Sequence, residues 1–166
     1  MNQTKQQQYA DIAQQIEAIV AGETDMIANM ANISALLYWQ LDRVNWAGFY
    51  LYKENQLVLG PFHGQPACIR IPIGKGVCGT AVSENAIMLV EDVHQFSGHI
   101  ACDAASNSEI VLPVRFGEQI IAVLDLDSPD IARFDNEDKQ GLIQVVNILQ
   151  ASLDEKHLST LLGKTA

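Results

Sequence analysis

Long apolar runs are missing from this sequence of 166 residues. The N-terminal MNQTKQQQYADIAQQ lacks the unbroken apolar stretch of a signal peptide, and nothing downstream approaches the length of a membrane span. The expectation is a soluble, cytoplasmic chain without a membrane partner. Cationic residues are scarce, 10 Lys plus Arg against 20 Asp plus Glu, which gives a formal charge of -10. Such a surface repels phosphate backbones and anionic lipid heads, so nucleic acid is excluded as an expected partner. Cysteine is sparse too: Cys68, Cys78 and Cys102 are an odd number that closes no disulfide framework. In a reducing compartment they rest as thiols, and any disulfide between them is transient. Internal repeats and low-complexity linkers are absent, and the length fits one domain.

What is present packs. Apolar residues make up 48% of the composition and charged residues 18%, enough apolar surface for one core. Tyr9, Ile12, Ala13, Ile16, Ile19 and Val20 recur at helical spacing, with Gly22 as a C-terminal stop. Thr24 is placed to cap a second helix with Ile27, Met30, Ser34, Leu37, Tyr38 and Leu41 on one face, ending near Asp42. The run NWAGFYLY, the polar KENQ and LVLGPF predict a hairpin, and CIRIPI a further strand. The glycine-rich GKGVCGTAV leads to a short helix and the strand IMLVED, and a long loop runs from about Val93 to Ser108. EIVLPVRF and IIAVLDLDS form another hairpin around Gly117. Asp135, with Asp138 three residues on, opens a last helix whose stripe is Leu142, Val145, Val146, Leu149 and Leu153. Helices at both ends of a set of hairpins imply α+β with a mainly antiparallel sheet.

Gly74, Gly76 and Gly79 spell G-x-G-x-x-G. A dinucleotide site needs a parallel strand buried on both faces, whereas CIRIPI alternates Arg70 with Ile69 and Ile71, so the glycines read as a tight strand-to-helix turn. Two thiols stand out. Cys102 lies among His99, Asp103, Ser106 and Asn107, a polar loop where a thiol serves chemistry better than packing; His99 is the only histidine near it in sequence. Cys78 falls near a helix N-terminus, where the dipole lowers a thiol pKa. By its own neighbours Cys68 is a buried structural thiol, and no C-x-x-C or H-x-x-x-H spacing supports zinc.

In IIAVLDLDS the period of two puts Asp125 and Asp127 on one face with Ile121 and Val123. A three-residue loop, Gly117 to Gln119, sets Glu109 opposite Asp127 and keeps Ile110, Leu112, Val114 and Phe116 on the other face; a two-residue Gly-Glu turn would shift the register and mix the faces. Three carboxyl groups then share a patch with Val111, Val123 and Ile121. Crowding and desolvation hold at least one of them protonated near neutrality, so the patch can bind an ammonium and donate a proton. Calcium or magnesium is the competing use, disfavoured because the donors come from two strands and no oxygen-rich loop. Trp46, in the first strand, is either core or an apolar wall for a ligand methyl group.

NWAGFYL at 45–51, LVLGPFHGQPACIRIPIGKGVCGTA at 57–81 and HIACDAASNSEIVLP at 99–113 resemble the free methionine-(R)-sulfoxide reductases, which are stand-alone GAF domains. The likeness continues through IIAVLDLDS and FDNEDKQGL and covers most of the chain. It implies a single GAF domain over 1–166, with N-terminal helices at about 5–42, sheet and site loops at about 45–128 and a C-terminal helix at about 136–156. It also implies that Cys102 is the catalytic thiol, Cys68 its resolving partner and Cys78 an auxiliary thiol. Glu109, Asp125 and Asp127 would bind the substrate, Glu109 or Asp127 would donate the proton, and Trp46 would enclose the methyl end. Free methionine-(R)-sulfoxide is then the substrate and thioredoxin the external reductant, with no bound cofactor; a homodimer is left open. The rival from another class is a GAF module that senses a small molecule without catalysis.

Overall fold

The computed structural model describes residues 3–98, 104–155 and 158. Six strands form one sheet in the order β3-β2-β1-β6-β5-β4, every neighbouring pair antiparallel. The expected α+β class and antiparallel sheet are what the chain adopts. Among the described residues no helix is long and apolar enough to cross a membrane.

Helix α1 (Lys5–Val20) starts where Thr4 accepts a hydrogen bond from the Gln7 amide, and buries Tyr9, Ile12, Ala13, Ile16 and Val20. Helix α2 (Met26–Gln40) is capped by Asp25, one residue later than expected at Thr24, because the Asp25 carboxylate receives the Ala28 amide at 2.9 Å. The buried stripe is Met26, Asn29, Met30, Ile33, Ser34 and Leu37, and Ile27, expected on it, is exposed. Strands β1 (Trp46–Lys53) and β2 (Gln56–Gly64) form the first hairpin, closed by Glu54 and Asn55, both at positive φ. Strand β3 is shorter than the expected CIRIPI: it covers Arg70–Pro72, and Cys68 lies ahead of it in irregular chain. Helix α3 (Gly76–Ser83) begins inside the glycine segment, where a Cβ on Gly79 would sit 2.4 Å from the Pro72 carbonyl oxygen. Those glycines serve a tight turn onto an antiparallel edge. Strand β4 (Met88–Val90) and a single 3-10 turn at Val93–Gln95 follow.

The hairpin of β5 (Ser108–Phe116) and β6 (Gln119–Ser128) corrects the expected loop. Phe116 pairs with Gln119 across a two-residue turn, Gly117 and Glu118, and a bulge between Val114 and Arg115 then absorbs the one-residue mismatch. Beyond the bulge Glu109 faces Asp127, as expected. Ile121 belongs to the bulge region and packs in the helix-covered core, off the acidic face where alternation placed it. Helix α4 (Asn136–Ala151) opens on Asp135 with the reciprocal Asp138 capping box and buries Leu142, Val145, Val146 and Leu149.

Both faces of the sheet are therefore covered. On one, α1, α2 and α4 enclose Ile110, Leu112, Val114, Leu124 and Leu126. On the other, α3 packs Val77, Cys78 and Ala81 against Trp46, Tyr50, Val111 and Val123. The acidic residues lie within this second, smaller core.

Candidate active site

Strand register assembles the site. Trp46 pairs with Asp127 and Gly48 with Asp125 across β1 and β6; Glu109 pairs with Asp127 and Val111 with Asp125 across β5 and β6. Three strands thus bring one indole and three carboxyl groups to one end of the α3 side of the sheet. Glu109 is 7% exposed and Asp125 5% exposed, whereas Asp127 is half-buried.

Helix α3 sets Cys78 over this pair of acids. Its Sγ approaches Glu109 Oε1 at 3.9 Å, and one donor atom each from Cys78, Glu109 and Asp125 fall within 4.8 Å of one another. Asp125 Oδ1 is buried without a hydrogen-bond partner among the described residues. Burial pushes the Glu109 carboxyl well above the usual carboxylate range, reinforced by the charges of Asp125 and Asp127. Burial likewise raises Asp125, to about 7, against hydrogen bonding from Cys78 and Glu109 that acts downward. Lying in one buried recess, the two carboxyls titrate as a pair, and both are displaced upward.

Cys78 departs from expectation. It does stand in the first turn of α3, but burial and then the charges of Asp125 and Glu109 push its thiol up, outweighing any helix-end effect. A buried neutral thiol is a poor nucleophile. The same three donors could reach one metal ion, yet a thiolate would have to form where the surroundings oppose it.

Aromatic rings build the wall. Trp46 stacks on Phe62 with ring centroids 5.2 Å apart and on Tyr50 at 5.9 Å. Gly48 permits that stack, since a Cβ there would come within 2.3 Å of the Phe62 Cβ and 2.8 Å of the Trp46 ring. Trp46 Nε1 donates to the Gln65 carbonyl at 3.1 Å, and the Tyr50 hydroxyl donates to the Cys68 carbonyl at 3.0 Å. These two bonds hold the segment carrying Cys68 beside the acids. Cys68 is half-buried and disulfide-bonded, in contrast to the expected buried structural thiol, while Cys78 is free. Tyr50, Phe62 and Gly48 were missed by sequence reasoning, although the period of two in WAGFY places Trp46, Gly48 and Tyr50 on one face.

The neck of the loop expected to carry the catalytic thiol is well tied. The Val93 amide donates to the Asn107 carbonyl, a His94 ring nitrogen lies 2.9 Å from Asn107 Oδ1, and the Asn107 side-chain amide donates to the Pro129 carbonyl at 2.7 Å. Cys102 and His99 themselves lie outside the described residues.

A six-stranded antiparallel sheet of this order carries helices on both faces, and the GAF domain family matches residues 15–153 of the chain. The free methionine-R-sulfoxide reductase of Escherichia coli is 59% identical over 145 residues, covering 87% of this chain and 88% of the relative. A structure of fRMsr of Staphylococcus aureus in complex with substrate is 53% identical, with a TM-score of 0.84 over 88% of this chain and 95% of that one. The free methionine-R-sulfoxide reductase of Neisseria meningitidis, also solved with its substrate, is 39% identical with a TM-score of 0.89 over 98% and 96%. The chain belongs to the free methionine-R-sulfoxide reductase family of GAF domains.

Proposed function

We propose that this chain reduces free L-methionine (R)-S-oxide to L-methionine, with Cys102 as the attacking thiol, Cys68 as the resolving thiol and thioredoxin as the external reductant. The observation that carries the reading is the buried Glu109 and Asp125 pair, walled by Trp46 and set beside the segment of Cys68. Family membership supports the substrate, since relatives of high identity carry that name.

The Cys102 thiolate attacks the sulfoxide sulfur. A protonated acid, Glu109 on the direction of its pKa, delivers a proton to the departing oxygen. The protonated oxygen passes from the substrate sulfur to Cys102 Sγ as the bond between the two sulfurs breaks, so methionine leaves and Cys102 becomes a sulfenic acid. The Cys68 thiol condenses with it, releasing water and forming a disulfide, which a dithiol reductase returns to two thiols by exchange. That Cys68 is disulfide-bonded while Cys78 stands free supports this division of labour. No bound cofactor enters the reaction. The substrate ammonium pairs with the acid group through Asp125 or Asp127, and Trp46 faces the methyl end. A methionine within a protein chain lacks that ammonium, which restricts the site to the free amino acid.

Single-turnover assays test the assignment. Cys102→Ser is expected to form no methionine from the (R)-sulfoxide, and Cys68→Ser to form up to one equivalent yet cycle poorly with thioredoxin. Equal single-turnover yields from Cys102→Ser and the unsubstituted chain would sink it.

A further inference from the structure

We infer that the exposed segment around Ile69 is the landing surface for the dithiol reductase, with Ile69 inserted into the apolar rim around the reductase's attacking thiol. The inference rests on the recycling step above, and it adds where the reductase docks and which sulfur it strikes.

The backbone of this segment is pinned, Ala67 and Cys68 rest against the smaller core, and Gln65, Pro66 and Ile69 are turned outward. Three carbonyls point into the protein: Gln65 accepts from Trp46 Nε1, Cys68 from the Tyr50 hydroxyl and Ile69 from the Leu59 amide at 2.9 Å. Gln65 and Pro66 are exposed, and Ile69 is 68% exposed. A lone surface isoleucine needs no explanation. One held rigidly next to a bonded cysteine sulfur that a partner protein must reach does.

Charge points the same way. The chain carries a formal charge of -10, yet no Asp, Glu, Lys or Arg occurs from Asn55 to Ile69. Cys68 and Ile69 therefore end a run of sequence that adds no negative charge to an acidic chain, and the exposed Arg70 that follows pairs with Glu54 at 3.7 Å. The segment also leads directly into β3, which is the edge strand of the sheet. An edge is where an extended partner segment finds room alongside.

The exchange is then ordered. The reductase thiolate attacks Cys68 Sγ, the bond between Cys68 and Cys102 breaks, and Cys102 leaves as a thiolate. The second reductase thiol attacks the mixed disulfide, releases Cys68 as a thiol and closes the reductase's own disulfide. Two electrons pass from the reductase, and Cys102 is regenerated in the first step.

Ile69→Asp and Ile69→Val are compared in steady-state methionine sulfoxide reduction driven either by thioredoxin, thioredoxin reductase and NADPH or by dithiothreitol. A docking role predicts that Ile69→Asp loses roughly tenfold or more in kcat/KM for thioredoxin, keeps its dithiothreitol-driven rate within about twofold, and that Ile69→Val recovers most of the loss. An equal loss with both reductants, or none with either, would overturn the docking role. Failure of the unsubstituted chain with dithiothreitol would instead remove the proposed reaction, and failure with thioredoxin alone would remove that reductase as the partner.

Discussion

At the scale of single residues the site is a problem in proton placement. Glu109, Asp125 and Asp127 were legible from alternation in two strands, because a period of two fixes which side chains share a face whatever the rest of the fold does. The state of Cys78 was not legible: its helix position was, but the burial that reverses the effect comes from strands distant in sequence. With both carboxyls of the acid pair displaced upward by burial, the methionine-forming step should slow as pH rises through about 7, where Asp125 gives up its proton. Glu109→Gln should lower the single-turnover rate by on the order of a hundredfold if Glu109 is the donor. Stopped-flow measurement with the (R)-sulfoxide decides it; an unchanged rate would move the role to Asp127. Stability has a linked sign. Folding raises these carboxyl pKa values above their unfolded values of about 4, so the native state holds more protons and loses stability as pH climbs from about 4 through the folded values. Urea denaturation from pH 5 to pH 8 should show that decline, and Asp125→Asn should flatten it.

At the scale of elements, helix stripes, hairpins and the capping box at Asp135 were readable because each depends on neighbours a few residues away. The β5–β6 turn was misread for an instructive reason. Preserving one apolar face demanded an odd residue somewhere, and the loop was the simplest place to put it. The protein puts it in a bulge, whose Arg115 is held by contacts no local pattern reveals: its amide donates to Gln150 Oε1 at 2.7 Å and its guanidinium reaches Asn85. A similar long-range tie operates at Asn107, whose side chain joins the chain after β4 to the chain after β6. Asn107→Ala removes both side-chain bonds and should cost about 1–3 kcal/mol of stability. If the neck also positions the loop for chemistry, the same variant lowers the single-turnover rate while substrate affinity holds. A stable variant with an unaltered rate would limit Asn107 to a structural role.

At the scale of the whole molecule, the two ends of the chain are joined on the face of the sheet opposite the acidic recess. Asp138, fully buried at the start of α4, meets Lys5 Nζ at 2.6 Å, the Tyr9 hydroxyl at 2.9 Å and Arg133 at 3.1 Å, besides the Asp135 amide of its own cap. Removing the carboxylate takes the buried Tyr9 hydroxyl's acceptor and the Arg133 guanidinium's ion pair at once, leaving the guanidinium, among the described residues, only the Asp42 carbonyl that its Nε already reaches. Asp138→Ala should therefore cost roughly 3–5 kcal/mol, and it should do so without changing the single-turnover rate, since none of these residues borders the acid pair. Neighbouring Asp135, beside Lys5 and two amides of the cap, is held down at about 2. Its contribution is complete above its unfolded value of about 4 and fades as pH falls toward about 2, the reverse of the acid pair. Urea denaturation of Asp138→Ala alongside the unsubstituted chain, with the single-turnover rate taken at the same pH, separates the two halves of the claim. A loss under about 1 kcal/mol would show that the network merely decorates the helix start, and a slowed reaction in a still-folded variant would show that the helix layer and the recess are coupled through the sheet.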